Sequence, residues 1–175
     1  MSEPALNMIE SSTVDLTCFE IKGEIYAIEV EYVREIVRIL EITPLPNSPR
    51  LIEGVIDLRG MVIPVMDLGR VLGRGPGSTS MRSRIIVLEI DGLALGVWVD
   101  AATDVLTLDA QRLEDVPQLA TQAGYDAVCH LIRRDGESPI MVLSVDRLIE
   151  SIDQSPPPDE SEMEAAQPTG EGEAP

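Results

Sequence analysis

The residues GVIDLRGMVIPVMDL, numbered 54–68, carry the clearest indication of the fold in this sequence. Two apolar segments flank Arg59-Gly60, and short apolar runs interrupted by turn residues are typical of paired strands. We therefore predict a hairpin with strands at residues 51–58 and 61–68. Asp67 stands at the end of the second strand, where it can cap a helical turn over residues 67–72.

The same pattern extends outward over residues 14–152. We predict hairpins at residues 16–30 and 84–99, a strand at 103–108, and a last hairpin at 128–145. Asp91-Gly92 is the strongest turn signal, because both residues suit the positive φ angles of a type I′ turn. The chain is 44% hydrophobic but only 3% aromatic, so its core must consist of strand-forming Val, Ile and Leu. A mainly β fold, as a sandwich or small barrel, is expected.

Helices are predicted to be few and short. Apolar residues at three- and four-residue spacing favour a helix over residues 31–36, followed by an edge-like strand at 37–43 and a proline-rich connector. Further helices are predicted from Asp109 towards Pro117 and over residues 146–152, and residues 73–83 are predicted to form a loop. Residues 144–149 weakly resemble residues 67–72, which would suit two similar barrels.

Charge and composition divide the chain into three parts and exclude some function classes. We expect a flexible N-terminus at residues 1–13, one domain at 14–152, and a disordered, acidic, proline-rich tail at 153–175. The net charge of −18 disfavours nucleic acid and anionic membranes as partners, since both require Lys and Arg. Neither a signal peptide nor an apolar run long enough to span a bilayer is present, so a cytoplasmic protein without membrane insertion is expected.

The sequence offers little for catalysis or for a cofactor. His130 is the only histidine, and its neighbour Cys129 should point to the opposite face of the same strand. Cys18 and Cys129 are expected to be reduced thiols, and the acidic residues do not cluster as metal ligands. The glycines at 73, 75 and 77 lack the strand and helix that flank a phosphate-binding loop. We expect no enzymatic activity, no metal and no cofactor.

Two groups of residues are candidates for binding another protein. Glu35 and Arg59 carry charges that core packing does not need, and Arg59 could pair with a carboxylate, although both could simply face solvent. Val33, Ile36 and Val105 could form an apolar strip, with core packing as the alternative.

The sequence as a whole resembles the CheW family of chemotaxis coupling proteins over residues 14–152. The motifs that carry the resemblance occur in this order: EIYAI (24–28), VREI (33–36), ITPLPNSP (42–49), GVIDLRG (54–60), VIPVMDL (62–68) and GVWVD (96–100). The resemblance implies two intertwined SH3-like β-barrels that share a core. It also implies a non-catalytic adaptor that connects the cytoplasmic tips of chemoreceptors to the regulatory domain of a CheA-type histidine kinase.

Several positions acquire expected roles through this resemblance. Val33, Val105, Arg59 and Gly96 match receptor-binding positions, and Gly54 matches a kinase-binding position. We add Ile36 to the receptor surface because it neighbours Val33, and Glu35 with Arg59 matches a charged pair of the family. Both glycines could act indirectly, by permitting close approach of the backbone.

Two alternatives remain open. The first is an adaptor of the same fold in a non-flagellar chemosensory pathway, controlling surface motility or a second messenger. The second is a small-molecule sensor or an enzyme that uses the cleft between the barrels, with His130 or Cys129 as the reactive group.

Overall fold

The computed structural model describes residues 12–117 and 127–155. Within these ranges the strands are β1 (Thr13–Ile21), β2 (Glu24–Glu29), β3 (Val33–Arg38), β4 (Ile52–Leu58), β5 (Met61–Asp67), β6 (Arg84–Ile90), β7 (Leu93–Val99), β8 (Ala101–Asp109), β9 (Glu114–Asp115), β10 (Val128–Arg134) and β11 (Glu137–Leu143). The helices are α1 (Leu68–Val71) and α2 (Val145–Gln154), with 3₁₀ turns at Val30–Tyr32 and Ala110–Arg112.

The four predicted hairpins are confirmed, because local turn chemistry determines them. Arg59 and Gly60 have φ angles of 51° and 85°, and Asp91 and Gly92 have 49° and 81°. In the first of these turns the Gly60 N–H donates to Asp57 Oδ1 at 2.8 Å. The carboxylate of Asp57 therefore helps to hold this turn.

The strands form two sheets with equivalent strand orders. The first sheet has the order β8-β1-β2-β11-β10-β9 and the second β3-β6-β7-β5-β4. In each sheet, two hairpins are joined by one pair of parallel strands. This pair is β2 with β11 in the first sheet and β7 with β5 in the second. Strand β3 follows the hairpin β1–β2 but joins the second sheet, and β8 follows β6–β7 but joins the first. The second sheet therefore consists of the consecutive strands β3–β7, inserted between β2 and β8 of the first sheet. We call β3 and β8, the strands at which the chain passes from one sheet to the other, the exchanged strands.

Each sheet is curled around an apolar cluster of its own. In the second sheet, Val37 of β3 packs against the cluster that contains Ile56 and Leu58 of β4. In the first, Leu108 of β8 and Ile132 of β10 belong to one cluster. We refer to the first sheet as barrel 1 and the second as barrel 2. The mainly β fold of two intertwined SH3-like barrels is confirmed.

A third apolar cluster joins the two barrels. It contains Phe19 and Tyr26 of barrel 1 together with Ile86 and Leu88 of barrel 2, all at 0% exposure. This cluster is the shared core that the family resemblance implies. Each barrel also contains a smaller apolar cluster of its own. The helices α1 and α2 follow β5 and β11, which occupy equivalent places in the two sheets. The weak similarity between residues 67–72 and 144–149 thus corresponds to a structural repeat.

Two helix predictions are wrong. Residues 33–36, which were expected to be helical, lie in β3, and only Val30–Tyr32 forms a 3₁₀ turn. The helix predicted after Asp109 is the single turn Ala110–Arg112, which Asp109 caps through the Gln111 N–H at 2.9 Å. The regular elements begin at Thr13 and end at Gln154, slightly outside the expected domain limits. The predictions for residues 1–11 and 156–175 lie outside the described residues.

Replacement of Asp67 tests directly how the loop at residues 73–83 is held in place. Its side chain, 2% exposed, accepts hydrogen bonds from the N–H groups of Gly69, Arg70 and Gly77. We expect Asp67→Ala to lower the free energy of unfolding by about 2–4 kcal/mol, because it removes a helix cap and leaves buried donors unpaired. Ser144→Ala, at the equivalent cap of α2, is the matched control and should cost about 1 kcal/mol or less. Urea denaturation measures both, and equal losses would contradict this account.

Candidate functional site

A β-bulge in β3 places Val33 and Ile36 on one face of the strand. Val33 lies opposite Leu88 and Ile36 opposite Ile86, with a register shift between Val33 and Glu35. Leu88 and Ile86 both point into the shared core, and directly opposite residues in an antiparallel pair lie on the same face. Val33 packs against the shared core, whereas Ile36, on the same face of the strand, is 41% exposed.

Val105 occupies the corresponding position on the other exchanged strand. It lies opposite Thr17 of β1. Leu16 and Cys18 line the interior of barrel 1, so Thr17 between them faces the shared core. Val105 is 66% exposed on that same side of its sheet. The exchanged strands β3 and β8 thus both carry exposed apolar side chains on the shared-core side, and we call Val33, Ile36 and Val105 the apolar strip.

The structure brings Glu35 and Arg59 together in an ion pair. Glu35 lies on β3 opposite Val87, an interior residue of barrel 2, and therefore points away from the strip. Arg59 is in the β4–β5 turn, so the pair connects two edges of the curled sheet. The Arg59 side chain is 70% exposed and the Glu35 side chain only 25%. The guanidinium is therefore fixed by one carboxylate but remains accessible to a partner.

Gly54 and Gly96 both lie where a side chain does not fit. A Cβ on Gly54 would come within 2.3 Å of the Thr43 carbonyl oxygen, and Thr43 exchanges two backbone hydrogen bonds with Val55. A Cβ on Gly96 would come within 2.9 Å of Ile85 Cγ2, inside barrel 2. Each glycine thus permits the close approach of a neighbouring segment, and the binding roles expected for Gly54 and Gly96 remain predictions.

Two arginines that no sequence motif marks also lie beside the apolar strip. Arg38 and Arg84 are directly opposite each other at the end of the β3–β6 pair. Nothing in the sequence reveals this juxtaposition, because it depends on β3 pairing with a strand that follows a long connection. Two like charges facing each other on paired strands are unfavourable for stability.

His130 and the two cysteines do not form a nucleophile–base pair. His130 Nε2 is 3.4 Å from Asp115 Oδ1, while the Cys129 thiol donates to the Val142 carbonyl at 3.4 Å. Burial raises the pKa of the Cys18 thiol to about 11, and Asp104 contributes to the increase. Burial also raises the pKa of Cys129. Both thiols are therefore poor nucleophiles at neutral pH.

The glycine-containing loop is occupied by internal contacts. The Gly77 N–H donates to Asp67 Oδ2 at 2.7 Å, so a carboxylate already takes the place that an anion would need. Lys22 Nζ donates to the Pro76 carbonyl at 2.9 Å and attaches the loop to barrel 1. Among residues 12–117 and 127–155, no three His, Cys, Asp or Glu side chains group as metal ligands. No helix in these ranges is both long enough and apolar enough to cross a membrane.

Comparison with known proteins identifies the relatives of this chain. The CheW-like domain family matches residues 15–153. The chain is 33% identical to the chemotaxis protein CheW of Thermotoga maritima, over 79% of this chain and 89% of that protein. It is 30% identical to the protein FrzA of Myxococcus xanthus, over 78% and 86%. The crystal structure of the scaffolding protein TtCheW from Thermoanaerobacter tengcongensis is similar with a TM-score of 0.68 and 33% identity, covering 77% of this chain and 86% of that one.

The burial of the thiols can be tested by their reactivity. We expect Cys18 and Cys129 to react with a disulfide reagent at pH 7.5 at least about tenfold more slowly in the native protein than in urea, because burial disfavours the thiolate. A Cys129→Ser variant isolates the signal of Cys18. A thiol that reacts as fast in the native protein as in urea would contradict its burial. A thiol that reacts faster in the native protein would indicate an activated nucleophile and would support the enzyme alternative.

Proposed function

The chain belongs to the CheW-like domain family, and from this premise we propose that it couples the cytoplasmic tips of chemoreceptors to the regulatory domain of a CheA-type histidine kinase. Its relatives include proteins named for chemotaxis and one described as a scaffolding protein, which supports an adaptor role in chemotaxis. We also propose that the protein acts in the cytoplasm and is recruited to receptor arrays.

The apolar strip is the observation that carries the receptor half of this proposal. Ile36 and Val105 are exposed on the exchanged strands, both on the side of the shared core. An apolar helical segment can lay one face along such a surface and cover side chains that water otherwise contacts. The tip of a chemoreceptor, which the family resemblance implies as partner, is helical. Its docking on the strip would bury both apolar residues.

In this proposal, Arg59 orients the docked segment and does not add apolar contact area. Its guanidinium is held by Glu35 yet mostly exposed, so it can donate to a carboxylate or carbonyl of the docked segment. Charges at the rim of an apolar contact chiefly determine which partner binds and in which direction. Glu35 holds Arg59 on the face of β3 opposite the strip, so we propose that Arg59 contacts the receptor tip beyond the edge of β3 and thereby fixes its orientation.

The kinase half of the proposal concerns the connector between β3 and β4, residues 39–51, which passes beside Gly54. Gly54 permits the connector to approach β4 so closely that Thr43 and Val55 exchange backbone hydrogen bonds of 2.8 and 2.9 Å. The adjoining Leu45 is 46% exposed between two prolines that restrict its backbone. We propose that Gly54 acts by holding this connector in place, and that the connector contacts the kinase domain.

A pull-down tests the proposed function as a whole. The purified protein should retain a CheA-type regulatory domain on a resin and, separately, a soluble cytoplasmic fragment of a chemoreceptor. Retention of both supports the coupling role. Failure to retain either partner, with circular dichroism showing a folded protein, would overturn it.

Replacement of Arg59 tests the receptor surface. We expect Arg59→Ala to weaken receptor binding by about five- to tenfold, because a positioned charge at the contact is lost. The fold should persist, since an exposed ion pair contributes only about 0–1 kcal/mol to stability. Arg133→Ala is the matched control, because Arg133 is also exposed and paired, with Glu114 at 2.8 Å. Titration calorimetry measures both, and equal affinities for the two variants would refute the role of Arg59.

Gly54→Ala and Gly96→Ala add one methyl group each and serve as controls for one another. We expect Gly54→Ala to weaken kinase binding and to spare receptor binding, because it displaces Thr43 and the connector. Gly96→Ala should weaken receptor binding and spare kinase binding. Each variant should lose about 1–3 kcal/mol of stability through crowding, which thermal unfolding measures. The two-surface assignment fails if both variants lose the same partner.

A further inference from the structure

We infer that Arg38 and Arg84 form a carboxylate-binding site at the end of the apolar strip, and that the segment docked there carries an Asp or Glu beside its apolar anchor. The inference rests on the proposed function for the identity of that segment, a chemoreceptor tip. It adds the chemistry by which such a tip is recognised and two residues that the family motifs do not include.

The strand register places both arginines on the same side as the strip. Ile36 lies opposite Ile86, and two residues further along each strand Arg38 lies opposite Arg84. Side chains two residues apart on a strand share a face, and directly opposite side chains are neighbours. The backbone positions of Arg38 and Arg84 therefore lie about 7 Å further along their strands than those of Ile36 and Ile86.

The charges of the two arginines are not balanced within the described structure. Arg84 Nη1 donates to the carbonyls of Met81 at 2.9 Å and Ser83 at 2.8 Å, which fixes the side chain without neutralising it. Arg38 is exposed and has no hydrogen-bond or ion-pair partner among residues 12–117 and 127–155. By contrast, Arg34 on the same strand pairs with Glu89 at 3.2 Å.

Two neighbouring arginines whose charges no carboxylate balances are unexpected in such an acidic chain. The sequence contains 31 Asp and Glu against 13 Lys and Arg, so carboxylates to neutralise an arginine are abundant. Two facing arginines weaken the β3–β6 pair, and a sequence that keeps such a conflict commonly does so at a functional site. A single carboxylate can accept hydrogen bonds from two guanidinium groups, which makes an acidic side chain the ligand that this geometry fits.

The experiment compares Arg38→Gln with Arg34→Gln, an exposed arginine of the same strand whose charge Glu89 already balances. The probe is the soluble receptor fragment, measured by titration calorimetry at low and high salt. We expect Arg38→Gln to weaken binding about tenfold at low salt and clearly less at high salt, because screening reduces the contribution of exposed charges. Arg34→Gln should change the affinity less than about twofold.

Thermal unfolding separates recognition from a structural role. Because Arg38→Gln removes repulsion from Arg84, its melting temperature should equal or exceed that of the wild type while its receptor affinity falls. A lower melting temperature accompanied by weaker binding would show that Arg38 only supports the fold, and would overturn the inference.

A double-mutant cycle identifies the ligand. Each Asp and Glu of the receptor tip is replaced by Asn or Gln in turn, and one of these changes should have no further effect in the Arg38→Gln protein. Full additivity at every acidic position would overturn the carboxylate assignment. If the wild-type protein does not bind the fragment at all, the proposed function fails. If it binds but Arg38→Gln binds equally well, only the present inference fails.

Discussion

The insertion of barrel 2 between β2 and β8 of barrel 1 is the constraint on which the rest of the structure depends. Barrel 1 closes only with β8, which the chain supplies after all five strands of barrel 2. Barrel 1 is therefore discontinuous in sequence, and the apolar faces left between the two barrels combine into the shared core. The strands β3 and β8, which follow the two passages between the sheets, take corresponding edge positions, so apolar side chains of both are exposed on the side of that core.

Local chemistry explains why the hairpins were predictable and β3 was not. Turns such as Asp91-Gly92 specify their hairpins within a few residues, as do the caps at Asp67 and Ser144. In β3 the bulge brings Val33 and Ile36, three residues apart, onto one face, and this spacing imitates the period of a helix. The prediction that Val33 and Ile36 lie on one side was therefore correct, although the helix predicted for them was wrong. The insertion of one barrel into the other is non-local, and only the family resemblance implied that the barrels are intertwined.

In the candidate site, the residues proposed for binding also have structural roles. Glu35 joins β3 to the β4–β5 turn and at the same time holds Arg59 where a partner can reach it. Gly54 and Gly96 need not touch a partner, because each allows a close contact that positions a neighbouring segment. The motifs mark these residues, whereas Arg38 and Arg84 meet only once β3 pairs with β6. Motifs thus reveal residues whose partners are close in sequence or shared by a family, and the fold reveals the others.

The central claim is that one chain holds a receptor and a kinase at the same time, through the apolar strip and through the connector beside Gly54. Analytical ultracentrifugation of the protein with a receptor fragment and a labelled kinase regulatory domain tests this claim most directly. The account predicts a ternary complex in which the labelled domain sediments with the receptor fragment only when the protein is present. Displacement of the kinase domain by the receptor fragment, leaving only binary complexes, would contradict it.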